Sequence, residues 1–282
     1  MTPISNRQAP VTRLTDPAAV QRWLEDDRRW CAYALADLEE PFWSHAAFWV
    51  TAQPAPAVLL HLALPSWAVL WGHGAPAGLA AIVPALPSRP RAANLMLRAE
   101  ALPEFARWYD FGEIEPMRRM VVTPATFWPA SGAGAVRLHD PEELTAFYAG
   151  RAPGYDPAQV TRGIYYGVRE ADGRLCAAAG THAVSPRAGL GIVGNVFTEP
   201  AARGQGLGRR VTAAVVTALF EQGCREILLN VRADNIAALS VYTRLGFETH
   251  CDFVETVATA RPARSTLPQA GEHDHFSPRV AR

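Results

Sequence analysis

Residues 196–208, VFTEPAARGQGLG, run from an apolar stretch through a proline to Arg203 and then to glycines at alternate positions. Gly204, Gly206 and Gly208 grant a backbone freedom that costs conformational entropy, which a plain connection does not need. Glycines between a strand and a helix start leave several N–H groups unpaired, and the helix dipole adds about half a positive charge there. Arg203 adds positive potential. That is the chemistry of a phosphate cradle, in which missing side chains let the phosphate approach the backbone. Taken alone, the loop fits a phosphate cradle and a structural glycine-rich turn equally well.

The flanking elements decide whether the loop can do this. LGIVGNVFT (190–198) reads as a strand leading into it, with Gly194-Asn195 marking a bulge or a close backbone approach. Beyond the loop, Leu207, Val211, Ala214, Val215 and Ala218 recur at helical spacing until Gly223 stops the helix. EILLNV (226–231) is a further strand. Asp234-Asn235 can cap the next helix, where Ala238, Tyr242 and Leu245 share a face before Gly246. FVETVAT (253–259) gives a last strand. Upstream, 164–184 reads as a hairpin turning at Asp172-Gly173, after a short helix over 143–150. The order predicts an α/β (α+β) fold, a mixed central β-sheet flanked by helices.

Composition narrows the function. The chain has 282 residues, enough for two domains of ordinary size, and is 49% hydrophobic. Its 27 basic residues, all arginine, balance 27 acidic ones, so neither a nucleic-acid partner nor an anionic membrane surface is expected. Cys31, Cys176, Cys224 and Cys251 lie far apart with no C-x-x-C pair, so no metal site is expected and a reducing, cytoplasmic setting is. The start, MTPISNRQAP, has no apolar core of a secretory leader. The run 57–72 is broken by His61, Pro65 and Ser66, short of the roughly 20 residues a bilayer helix needs.

Three phosphate-binding designs compete. A triphosphate loop needs lysine, which the chain lacks, and a dinucleotide fold wants G-x-G-x-x-G directly after the strand, where Glu199–Ala202 intervene. The third design is R-x-x-G-x-G, which Arg203–Gly208 match in full. NVRADNIAALSVYTRLGFE (230–248) adds N-x-x-A-x-x-x-Y-x-x-x-G-F at Asn235, Ala238, Tyr242, Gly246 and Phe247. Over roughly 136–260 the chain resembles the GNAT superfamily of N-acetyltransferases.

The resemblance implies acetyl-coenzyme A as cosubstrate. Arg203, Gly204, Gln205, Gly206, Leu207 and Gly208 match the pyrophosphate loop; Val196, Phe197 and Thr198 match the strand positions that bind the pantetheine arm and orient the thioester. Asn235 matches a residue that contacts the coenzyme, and Tyr242 the tyrosine that protonates the departing thiolate. A phenol of pKa near 10 can share its proton with a developing thiolate, whose thiol titrates near 8.5; the competing reading of Tyr242 is a core aromatic. Many relatives hold a carboxylate on the coenzyme-binding strand as base. Here that strand has none, and His182 on the preceding strand is the candidate substitute, against a purely structural histidine.

The N-terminal half holds all eight tryptophans and lacks both signatures. It reads as a helix over 20–39, a hairpin over 66–83, a helix over 101–109 and a strand over 117–124. It resembles the degenerate N-terminal copy of two-domain GNAT proteins, with AAIVPALPSRPRAANL (80–95) in the place of the phosphate-holding strand, loop and helix. A degenerate domain over 1–132, an active one over 133–260 and a disordered tail over 261–282 are therefore expected. The expected activity is acetyl transfer to a primary amine of a small molecule or peptide, by direct attack in a ternary complex. The alternatives are a non-catalytic acyl-coenzyme A sensor and, opposed by Asn230 and Arg232 where a ribose-binding carboxylate belongs, a nucleotide-dependent oxidoreductase.

Overall fold

Asp16 opens the first helix as an N-cap, its carboxylate accepting the N–H groups of Ala18 and Ala19 at 3.1 and 3.2 Å. A computed structural model describes residues 10–262 apart from 66, 131–133 and 153. The expected tail beyond Pro262, with its HDH run, lies outside the described residues. In the N-terminal half, β1 (Val11–Leu14) precedes α1 (Pro17–Leu24) and α2 (Ala32–Ala36). The single helix expected over 20–39 is thus broken. Asp27 breaks it by accepting the Trp30 N–H at 3.1 Å while pairing with His250 at 2.7 Å and Arg98 at 3.1 Å. Arg28 and Arg29 both pair with Glu226, so the break is tied to the C-terminal half.

Strands β2 (Ala46–Thr51), β3 (Ala57–Ala63) and β4 (Ala68–Gly74) form an antiparallel meander. The hairpin expected over 66–83 is instead β4 followed by α3 (Pro76–Ala85). The hairpin partner of β4 is β3, and Pro76 starts the helix with its preset φ. β5 (Ala92–Leu97) follows parallel to β4, so β4–α3–β5 forms the strand–helix–strand crossover of this half, and 80–95 is the end of its helix and the start of its second strand, not a strand, loop and helix. Then come α4 (Leu102–Phe105), β6 (Tyr109–Phe111) and β7 (Glu115–Val122).

The C-terminal half contains β8 (Ala135–Arg137), α5 (Pro141–Tyr148), α6 (Ala158–Arg162), β9 (Tyr166–Arg169), β10 (Leu175–Ser185) and β11 (Leu190–Thr198). It continues with α7 (Leu207–Glu221), β12 (Glu226–Arg232), α8 (Ile236–Thr243) and β13 (Glu248–Ala260). β10 and β11 are antiparallel, and β11 and β12 parallel around α7, repeating the β3–β4–α3–β5 pattern.

Thirteen strands of the described residues join one mixed sheet in the order β1-β2-β3-β4-β5-β13-β7-β12-β11-β10-β9-β8, with β6 on β13. The middle of that order exchanges strands between the halves. β7 lies between β12 and β13, and β13 continues along the edge of β5. A shared core fills one face of the seam, where Trp30 packs 5.7 Å from Trp71 and 5.2 Å from Phe253, with Leu190, Ile192 and Leu228 of β11 and β12 beneath. Trp30 and Trp71 are thus core residues. On the other face α7 buries Val211, Val215 and Leu219 against Val193, Ile227 and Leu229.

Candidate active site

The parallel ladder of β11 with β12 runs from Leu190–Glu226 to Val193–Leu229 and ends there. Val196, Phe197 and Thr198 continue β11 past the fork and are half-buried. At the fork β11 bulges. Ala178 of β10 faces Phe197 and Gly180 faces Gly194, so Asn195 and Val196 together oppose Ala179. Asn195 takes a left-handed φ of 52°, and the Tyr148 hydroxyl donates to its carbonyl at 2.6 Å. The backbone edge beyond Val193 is therefore turned out of the ladder and available to a bound chain.

The glycine loop lies at the end of this strand. Gly204 and Gly206 adopt φ of +79° and +74° with nothing within 4 Å of where a Cβ would stand. Glycine is needed there for conformation and not for packing. Gly206 is the N-cap of α7 and supplies no side-chain acceptor, so the first N–H groups of that helix carry no side-chain cap. Arg203 donates from Nε to the Thr198 carbonyl at 3.3 Å, next to the fork. Arg209 and Arg210 stand in the first turn of α7, against the helix dipole. Three arginines around an uncapped helix start are electrostatically unfavourable until an anion joins them. Arg209 and Arg210 were not singled out in the sequence because they fall outside the R-x-x-G-x-G pattern.

Tyr242 sits in the last turn of α8, buried, with its ring 5.9 Å from that of Phe247. Burial pushes its phenol up to about 12. The hydroxyl therefore stays protonated through the neutral range, as a donor must. Asn235 caps α8, its Oδ1 accepting the Ala238 N–H at 3.1 Å.

His182 lies on the opposite face, over the backbone of Gly194, where a Cβ would stand 2.2 Å from its Nε2. Its Nδ1 is 3.0 Å from the Tyr33 hydroxyl of α2, and its Nε2 is 3.3 Å from Asn195 Oδ1. Burial depresses its pKa, only partly opposed by the Asn195 contact. Both ring nitrogens thus face polar partners within the protein. Beside it, a pocket of about 250 Å³ opens between the halves, lined by Glu39, Glu40 and Phe42 from one and by Gln159, Arg162 and His182 from the other. The carboxylates missing from β11 thus reach this face from the N-terminal half. Sequence reasoning could not place them, because no local spacing links 39–40 to 182.

A second buried polar group lies under the seam. Arg119 of β7, fully buried, donates from Nε to Asn230 Oδ1 at 3.0 Å and stacks 4.9 Å over Trp30 and 5.0 Å over Tyr33. Asn230 Nδ2 in turn donates to Glu255 Oε1 at 3.2 Å. Burial raises the Glu255 carboxyl and lowers the Arg119 guanidinium, each moderated by the charge of the other.

Comparison with known proteins agrees with this geometry. The family model described as Acetyltransferase (GNAT) family matches residues 135–247. A mycothiol acetyltransferase of Streptomyces avermitilis is 41% identical over 131 residues, 46% of this chain and 39% of that protein. One of Amycolatopsis mediterranei is 51% identical over 61 residues, 22% and 20% of the two chains. The chain thus spans well under half the length of these curated relatives. A tandem GNAT protein from the clavulanic acid biosynthesis pathway has the same fold with a TM-score of 0.53 at 13% identity, over 90% of this chain and 100% of that one. Within this chain the order β3–β4–α3–β5 recurs in β10–β11–α7–β12. Residues 135–247 are a domain of the GNAT acetyltransferase family, set in a sheet whose other half repeats its strand order.

Proposed function

We propose that the chain transfers the acetyl group of acetyl-coenzyme A to the primary amine of a small molecule. The observation that carries this reading is the conjunction at one place of an open β11–β12 fork, a bulged strand and an uncapped, arginine-flanked helix start. Arg203, Gln205, Leu207 and the three loop glycines would hold the pyrophosphate through backbone N–H groups. Val196–Thr198 would pair with the pantetheine arm along the free strand edge, and a turned-out N–H there would polarise the thioester carbonyl. The acceptor would enter from the pocket at the seam, where Glu39 and Glu40 favour an ammonium group and can take its proton through water. The amine nitrogen then bonds to the thioester carbon, the C–S bond breaks, and Tyr242 donates toward the departing sulfur.

The mycothiol acetyltransferase name of the relatives supports a small-molecule acceptor over a peptide. Asn235 acts through its cap on α8, which orients Tyr242. In this reading two tandem units, 1–132 and 133–260, contribute strands to one shared sheet. Four buried, unpaired thiols support a cytoplasmic setting, and no described helix is long and apolar enough to cross a membrane.

The test is binding followed by turnover. Acetyl-coenzyme A at a hundredfold excess over its Kd should stabilise the fold by about 2.7 kcal/mol. A thermal shift with NADH and none with acetyl-coenzyme A would sink the reading. Release of free coenzyme A thiol, measured over a panel of small amines, then identifies the acceptor class.

A further inference from the structure

The bulge at Asn195 is held by a directional chain of hydrogen bonds that begins in the C-terminal half and ends in the N-terminal one. Gln159 Nε2 donates to the Gly154 carbonyl at 3.1 Å, which leaves Gln159 Oε1 as an acceptor. Asn195 Nδ2 donates to that oxygen at 2.8 Å and to the Tyr165 hydroxyl at 2.8 Å, and Tyr165 donates to Gln159 Oε1 at 3.0 Å. Asn195 Oδ1 is thereby the acceptor that faces His182 Nε2, 3.3 Å away. His182 must carry its proton on Nε2, so its Nδ1 accepts from the Tyr33 hydroxyl at 3.0 Å. Every donor has one assignment because the first is fixed by a backbone carbonyl.

Resting on the acetyl-transfer reading, we propose that the N-terminal half positions the acyl-transfer backbone through this chain: Tyr33 orients His182, and His182 holds Asn195 in the left-handed bulge that turns the β11 edge into the fork. Tyr33, His182 and Asn195 are positioning residues under this assignment; none of them takes the acceptor's proton. Three features fit it. A non-glycine residue at a φ of 52° needs its side chain held to stay there, and Asn195 is held from two sides. Gly194 leaves room for the imidazole directly over the bulge. Arg119, stacked under the Tyr33 ring, fixes the phenol's own place against β7. The helix α2 that carries Tyr33 belongs to a half with neither GNAT signature, which gives that half a part in the reaction without a site of its own.

The test combines ring spectroscopy with kinetics on the full chain. Protein labelled with ¹⁵N in its histidine rings should show His182 as the Nε2–H tautomer, and Tyr33→Phe should shift its Nδ1 resonance. An Nδ1–H ring, or an Nδ1 signal indifferent to the lost hydroxyl, overturns the chain. Against a responsive amine, Tyr33→Phe should lower kcat roughly tenfold, the worth of one buried hydrogen bond at the barrier, with KM for acetyl-coenzyme A within about twofold. Asn195→Gly, which keeps the left-handed backbone, should also lower kcat. The double variant should be no slower than the slower single one, since either cut breaks the same link. Losses that multiply, or an unchanged kcat in Tyr33→Phe, refute the proposal. If the wild type acetylates no amine, acetyl transfer itself fails, while the ring spectra still decide the chain.

Discussion

A buried phenol and a buried carboxyl respond to pH in ways that separate packing from chemistry. Tyr242, raised to about 12, is neutral at any working pH, so its ionisation should leave no limb in a rate profile below pH 10. Tyr242→Phe should keep acetyl-coenzyme A affinity and lower turnover by roughly 10²–10⁴-fold if the hydroxyl supplies the proton. Normal turnover would make Tyr242 packing alone. Asp37, one turn after Tyr33, is pushed to about 7 by burial. The folded protein binds its proton more tightly than the unfolded chain does, so stability is lost as pH rises from about 4 toward 7. Asp37→Asn should therefore raise Tm at pH 8 and leave it little changed at pH 4; equal shifts at both pH values would contradict this. Tyr242 was legible because its motif is local. Tyr33 was not, since 149 residues separate it from His182 and only the fold brings them together.

At the level of elements, the two crossovers behave differently although their order is the same. The loop before α7 is open, with left-handed glycines and no cap. Gly206→Val should abolish coenzyme binding, because a branched residue resists φ of +74° and would stand where phosphate belongs; retained affinity in calorimetry would remove the loop from the site. The turn between β4 and α3 is instead filled by its own chain. Ala75 N–H donates to the Pro56 carbonyl at 2.8 Å, and a Cβ on Gly78 would meet the Ala55 carbonyl oxygen at 2.2 Å. One acetyl-coenzyme A per chain should bind, and calorimetric titration to two would overturn that. The C-terminal elements could be read because caps, glycines and apolar periods are written within ten residues of one another. The region around 66–97 misled because Gly74 and Pro76 serve a strand end and a helix start as readily as a hairpin.

For the whole molecule, the exchange of β7 and β13 removes any plane along which the halves could part. Asp27, Arg28 and Arg29 clamp α1 and α2 onto β12 and β13, and Trp30 packs into a core drawn from both halves. Heat should unfold the described chain in a single cooperative transition, with calorimetric and van't Hoff enthalpies equal. Two resolved transitions would show that the halves are independent. A fragment starting at residue 133 lacks the strand between β12 and β13, and should not bind acetyl-coenzyme A even when soluble. No sequence pattern announced the exchange, because β7 and β13 look like ordinary amphipathic strands whichever sheet they join.

The position of β13 also bears on how the protein is made. β5 is translated by residue 97, but the partner that covers its edge, Ala92–Leu97 against Val254–Thr259, leaves the ribosome some 150 residues later. At about 5–20 residues per second the nascent N-terminal half carries a bare, apolar strand edge for many seconds. A message broken before codon 254 would release that edge uncovered, so truncated products should be aggregation-prone substrates for chaperones rather than folded half-proteins.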